Sequence, residues 1–125
     1  TLNRFIVAYK HRDLPAIMRL FAPDPDVVFY GNGEDEKSVG AAGIREQAEH
    51  DWSQSEAISL EIKWSSVSMA DSVAWLAADI IILAGVGGME MSLPARLTAV
   101  LERRDEEWLF VQWHTSIPTV EEGGQ

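Results

Sequence analysis

Near the end of the chain the segment EEWLFVQWHTSIP, residues 106 to 118, sets a histidine beside two hydroxyls. Imidazole takes up a hydroxyl proton near neutral pH, so His114, Thr115 and Ser116 have the residue types of a base and a nucleophile. Their spacing opposes that chemistry. Side chains alternate between the faces of a strand, so Thr115 and Ser116 cannot both join His114, which reads as a structural hydrogen bonder. A stronger candidate is Asp79, a lone carboxylate inside the apolar stretch VAWLAADIIIL. Buried on a face with Val73, Trp75, Ala77 and Ile81, and without a cation, it would keep its proton toward neutral pH, as a general acid or base requires. Paired with Arg96 or Arg45 it would be structural instead. Tyr30, whose phenol can donate a hydrogen bond, is the second catalytic candidate. His11, His50 and His114 are too dispersed for metal-ligand spacing, and neither metal nor cofactor is expected. Of the tryptophans, Trp52, Trp75 and Trp113 are candidates for a pocket, while Trp64 and Trp108 suit sheet or hairpin packing. GVGGME lacks the strand-loop-helix context of a phosphate-binding loop and reads as a wide hairpin connection.

The elements that must hold these residues follow from periodicity. Leu2, Phe5, Ile6 and Tyr9 fall at helical spacing, and DLPAIMRLF follows with Asp13 as N-cap and Leu14, Ile17, Met18 and Phe21 on one stripe. The prolines of APDPD stop that helix. VVFYG is then a short strand running into the polar loop NGEDEKSVG, whose acidic run reads as solvated. From Gly43 to about Ser53, the spacing of Ile44, Ala48 and Trp52 predicts a third helix. Four long strands complete the chain: AISLEIKWSSVSM, DSVAWLAADIIIL, LPARLTAVLERR and EEWLFVQWHTSI, with breaks at AD, AGVGG and DEE. Three helices before four antiparallel strands predict an α+β layout, helices closing one face of a curved sheet. VAWLAADIII is apolar on both alternating faces, which predicts that a second subunit covers the outer face.

A chain of 125 residues has room for one domain. Its formal charge of -10 repels phosphate backbones and anionic membranes, so nucleic-acid and membrane partners are not expected. The longest apolar run is broken by Asp79 and ends in glycines, short of the ~20 residues of a spanning helix. The absence of cysteine fits a reducing compartment, and a cytoplasmic location is the default expectation. Thr1 opens inside an amphipathic pattern, without an initiator methionine or a signal-peptide layout, so residues ahead of it are expected.

The order of these elements, with FIVAYKHRDLPAIMRLFAPDPDVVFYG at the start and RLTAVLERRDEEWLFVQWHTSIP at the end, resembles the nuclear transport factor 2-like superfamily. Within it the chain is most similar to the SnoaL-like group and to the association domain of calcium/calmodulin-dependent kinase II. The specific pieces are the helix ending DWS, the hairpin RRDEEW and the closing histidine-x-serine with a proline two residues on. The resemblance implies a cone-shaped α+β fold, three N-terminal helices packed on a curved, mostly antiparallel sheet. One domain would span residues 1–118, with a flexible acidic tail at 119–125. A pocket would lie on the concave side, and the convex side would form a homodimer, with Arg96, Thr98 and His114 among its outer residues. Aligned with the ketosteroid isomerases of this superfamily, Phe5 stands at their first-helix tyrosine, Tyr30 at or beside their base, and Leu97, Thr98 and Ala99 around their second donor, so that chemistry is not expected. Aligned with the kinase domain, Trp52 keeps a pocket tryptophan, while Asp79, Ala99 and Thr115 replace its arginines. Organic anions should therefore be disfavoured.

The fold hosts many activities, so function rests on pocket residues. The reading reached is a SnoaL-like homodimer binding a small neutral organic ligand, cyclic or aromatic, in an apolar pocket lined by Phe5, Tyr9, Trp52, Trp75, Ala99, Trp113 and Thr115. Asp79 and Tyr30 would carry proton transfer or hydration. The alternative is a non-catalytic association module resembling the kinase domain, and the sequence leaves the choice between enzyme and binder open.

Overall fold

The structure, a computed structural model, describes residues 1–119; the acidic tail expected at 119–125 lies, from residue 120 on, outside them. Helices α1 (Leu2–Lys10) and α2 (Leu14–Arg19) open the chain, followed by β1 (Val28–Tyr30), β2 (Lys37–Val39) and α3 (Gly40–Ser53). Four long strands follow: β3 (Ala57–Ala70), β4 (Val73–Val86), β5 (Met89–Arg104) and β6 (Glu107–Ser116). They form one six-stranded open sheet in the order β2-β1-β6-β5-β4-β3, antiparallel except where β1 runs parallel to β6. This is the α+β fold expected from the sequence.

Local chemistry explains the element ends. Asp13 caps α2 by accepting from the Ala16 N–H at 3.1 Å, and a proline in the first turn loses no helical bond. The loop after β1 was expected to stay irregular, but it returns as the short edge strand β2, with Phe29 opposite Ser38. Gly40, at φ 77°, then turns the chain into α3 while its N–H donates to Val27 O at 2.8 Å. The connection expected to be wide at Gly85–Glu90 is in fact a two-residue turn. Gly87 and Gly88 both take positive φ, as such a hairpin needs, so β4 runs to Val86 and β5 starts at Met89.

That tight turn fixes the register of the sheet. Inward on β4 lie Ala74, Leu76, Ala78, Ile80 and Ile82, facing Ala95, Leu97, Ala99 and Leu101 of β5, all buried under the helices. Phe110 and Trp113 of β6 are fully buried and touch Phe5 of α1 edge-on and at a tilt, with centroids 6.0 and 4.4 Å away. Such ring pairs add about 0.5–1.5 kcal/mol each beyond the area they bury. Irregularities in β3 at Ile62/Trp64 and between β5 and β6 at Val100/Leu101 interrupt the ladders, and such bulges bend a sheet. Arg104 forks onto both oxygens of Asp24, fastening the proline-rich loop to the end of β5.

Candidate functional site

A cavity of about 240 Å3 opens between α1, α3 and the inner face of the sheet. Its floor is apolar: Phe29 stacks on Trp113 at 5.4 Å and 13°, and Ile58, Ile80 and Leu93 complete it. Polar groups gather along the rest of the wall. The Tyr9 hydroxyl donates to Asp51 Oδ2 at 2.9 Å, and Gln47, one turn earlier on α3, donates from Nε2 to Asp51 Oδ1 at 2.9 Å. Glu36, His50, Ser55 and Thr115 line the same cavity.

The helices are clamped so that Tyr9 and Asp51 meet. The Trp52 indole N–H donates to Tyr9 O at 3.1 Å, tying the end of α3 to the end of α1. Arg12, held at φ 56° after α1, donates from Nη1 and Nη2 to Trp52 O and Ser55 O, each at 2.8 Å. The guanidinium thereby satisfies carbonyls that the end of α3 leaves open. Glu36 reaches its place over two glycines. A Cβ on Gly31 would stand 2.3 Å from Oε1, and one on Gly33 would stand 2.6 Å from Oε2. The glycines leave the volume that the carboxyl occupies.

The electrostatics follow from burial. Desolvation lifts the Asp51 carboxyl above the usual carboxylate range, against the opposing pull of Gln47, Tyr9 and His50. Glu36 is lifted by its own burial and then by the nearby Asp51 charge. Burial first, and Asp51 second, make the Tyr9 phenol harder to ionise. A half-buried carboxyl that holds its proton more tightly than in water, gripped by a phenol and an amide, can give or take a proton at a ligand. Ser55 Oγ is buried and without a partner among the described residues. Thr115 Oγ1 accepts from the Trp113 indole at 2.7 Å, leaving its own proton for a ligand. A second cavity, about 310 Å3 beneath Leu2, Leu76 and Trp108, has no ionisable side chain among the described residues of its wall. Among the described residues no group of three or more His, Cys, Asp and Glu could hold a metal ion.

The residues singled out in the sequence divide between the two faces of the sheet. Phe5, Tyr9, Trp113 and Thr115 wall the cavity. Trp52 and Ala99 are buried in the core outside its wall. Three placements need correction. Asp79 is exposed on the outer face, opposite Arg96 of β5 and Trp64 of β3, because the Gly87–Gly88 turn sets β4 one residue out of phase with an inward Asp79. Trp75, of the same parity, lies outside as well, 49% exposed. Tyr30 is also outside, its ring 5.2 Å from that of His114, since the inward residue of β1 is Phe29. His114, Arg96 and Thr98 share that outer face, with Thr98 opposite His114, as strand parity predicts.

Sequence reasoning missed Asp51, Glu36, Gln47 and Ser55. Asp51 entered only within the DWS motif and Glu36 only within a solvated acidic loop. The readable signal was the Gln47–Asp51 spacing of one helical turn, beside the buried stripe of Ile44, Ala48 and Trp52.

Residues 1–120 match the model of a SnoaL-like domain. No curated protein matches the chain. Among solved structures, a candidate dehydratase of the nuclear transport factor 2-like family from Streptomyces avermitilis is similar at TM-score 0.88 and 17% identity, over 95% of this chain and 92% of that one. A candidate calcium/calmodulin-dependent protein kinase II association domain from Xanthomonas campestris is similar at 0.82 and 22%, over 94% and 82%. A candidate aromatic ring hydroxylase from Novosphingobium aromaticivorans follows at 0.81 and 19%, over 95% and 85%. At such identities the likeness is one of fold. No helix among the described residues is long and apolar enough to cross a membrane.

Proposed function

The chain belongs to the SnoaL-like domain family, and on that premise we propose that it binds a small, non-anionic ring compound in the cavity beside Tyr9 and Asp51 and moves a proton on it. Asp51 is the acid–base group, with Tyr9 and Gln47 orienting its carboxyl. One observation carries this reading: a carboxyl lifted by burial, hydrogen-bonded to a phenol at 2.9 Å, stands at an apolar cavity. The volume, about 240 Å3, lies below the ~300 Å3 at which drug-sized sites begin, which suits a single ring. Proton transfer supports isomerisation, hydration or dehydration of such a compound. The exposed Asp79 and Tyr30 stand apart from the cavity, so the roles given to them from sequence pass to Asp51 and Tyr9.

The test is deuterium exchange next to the carbonyl of a cyclic ketone such as cyclohexanone, followed by NMR in heavy water. Wild-type protein should accelerate exchange and Asp51→Asn should return it to the buffer rate. Equal acceleration by both would remove Asp51 from the chemistry.

A second reading, a non-catalytic association module, draws on the outer face of the sheet, where Trp64 and Trp75 are 55% and 49% exposed. Their neighbours Asp79 and Arg96 are of opposite sign, which suits a two-fold pairing of identical faces. Both readings share a homodimer through this face, and light scattering should give about twice the 13.9 kDa chain mass. Trp75→Lys should bring it to the monomer value, whereas a wild-type monomer would dismiss the interface.

A further inference from the structure

We propose that the ligand of this cavity carries a protonated amine, seated between the carboxyls of Asp51 and Glu36 with its ring against the aromatic wall. The inference rests on the pocket reading above and adds the sign of the ligand's charge.

Two carboxyls share the rim with the His50 imidazole, whose pull on both of them is outweighed by their burial. Asp51 and Glu36 line the cavity, and among the described residues no lysine or arginine does. The nearby guanidinium of Arg12 is turned onto the carbonyls of Trp52 and Ser55. The two carboxyls act on each other as like charges, and a cation between them would turn that repulsion into two attractions. An ammonium is the group that fits, because it brings three N–H donors and no acceptor.

The acceptors left open match it. Tyr9 and Gln47 take one lone pair on each Asp51 oxygen, and each carboxylate oxygen has a second. Ser55 lines the same cavity, with its Oγ turned into the protein and without a partner among the described residues.

The opposite wall suits the rest of such a ligand. Phe5, Tyr9, Phe29 and Trp113 offer apolar ring surface, and a cation beside aromatic faces gains further attraction as water leaves. The chain's formal charge of -10 also concentrates cations near the protein.

Three isosteric probes separate this inference from the pocket reading: benzylamine, benzyl alcohol and benzoate, titrated at pH 7 and fixed ionic strength against the Trp113 indole N–H signal in NMR. Benzylamine should bind about tenfold or more tighter than the alcohol, since hydrogen bonds to charged groups exceed neutral ones by that order, and benzoate should be weakest. Glu36→Gln should erase most of the advantage, and the double variant Glu36→Gln, Asp51→Asn all of it, with folding verified by circular dichroism. Alcohol binding as tight as amine binding overturns the inference and leaves the pocket standing. An amine advantage that survives the double variant places the cation elsewhere and overturns it too. If no probe moves the Trp113 signal, the pocket reading fails and takes the inference with it.

Discussion

Replacing Tyr9 with phenylalanine deletes one hydroxyl from a buried ring and little else, so its consequence can be worked through. The hydroxyl donates to Asp51 Oδ2 at 2.9 Å, and it is one of two side-chain donors to that carboxyl among the described residues. A hydrogen bond to an ionised group contributes about 1.5–3 kcal/mol, and one between neutral groups about 0.5–1.5 kcal/mol. Tyr9→Phe should therefore destabilise more where Asp51 is ionised than where it is protonated. For a domain of this size 1 kcal/mol corresponds to about 4 °C in Tm, which gives a loss of about 6–12 °C at pH 8 and about 2–6 °C at pH 4. The sign of the linkage agrees. Burial already raises the Asp51 carboxyl above its unfolded value, so its contribution is full below that value and is lost as pH rises through the folded one. Removing a donor that favours the ionised form raises it further and deepens the loss. Thermal unfolding of wild type and variant in parallel, followed by circular dichroism from pH 4 to pH 8, measures the difference. A loss that is equal at both ends, or greater at pH 4, would refute the assignment of Asp51 as an ionised acceptor of the Tyr9 proton.

Three further outcomes follow from the same geometry. Asp51→Asn removes the group whose contribution falls with pH, so the variant's stability relative to wild type, measured by urea unfolding, should rise from pH 4 to pH 8. Arg104→Met frees Asp24, whose carboxyl the Arg104 hydrogen bonds hold below the usual range. That contribution is present above the unfolded value and is lost as pH falls through the folded one, so the variant's deficit should be modest at pH 7 and shrink toward pH 3 and at high salt. Gly33→Ala sets a methyl where Glu36 Oε2 now lies, 2.6 Å from the new carbon, and should weaken benzylamine binding while leaving Tm within a few degrees, because the displaced atom ends a flexible chain. An unchanged affinity would mean that Glu36 does not meet the ligand.

The fold was legible because its signals are local. Helical stripes such as Leu14, Ile17, Met18 and Phe21, and the long runs that become β3 to β6, identify their elements without tertiary information. The face of β4 was not legible from the strand itself, since VAWLAADIII is apolar at both parities and alternation cannot choose. The deciding datum was the turn. Taken as a two-residue hairpin, Gly87–Gly88 pairs Val86 with Met89 and so Asp79 with Arg96. Arg96 was assigned outward from sequence, and the short turn would have carried Asp79 outward with it. Reading the turn as wide severed that link. Asp51 illustrates a harder limit. Its partner Tyr9 is 42 positions away, and only the clamp of Arg12 and Trp52 across α1 and α3 brings the two together. Glu36 was hidden by its company, an acidic loop of a kind that is usually solvated.

The central claim, that the ligand enters between Tyr9, Asp51 and Trp113, is tested most directly by the indole N–H signals in a proton–nitrogen correlation spectrum. The chain has 5 tryptophans, and they sample different surfaces: Trp113 at the cavity, Trp64 and Trp75 on the outer face, Trp52 in the helix clamp and Trp108 beside the second cavity. Titration with benzylamine should move the Trp113 signal progressively to saturation, leave Trp64, Trp75 and Trp108 in place, and need about tenfold or more higher concentration to move Trp113 in the Glu36→Gln, Asp51→Asn variant. Shifts confined to Trp64 and Trp75 would locate binding on the outer face of the sheet and contradict the account.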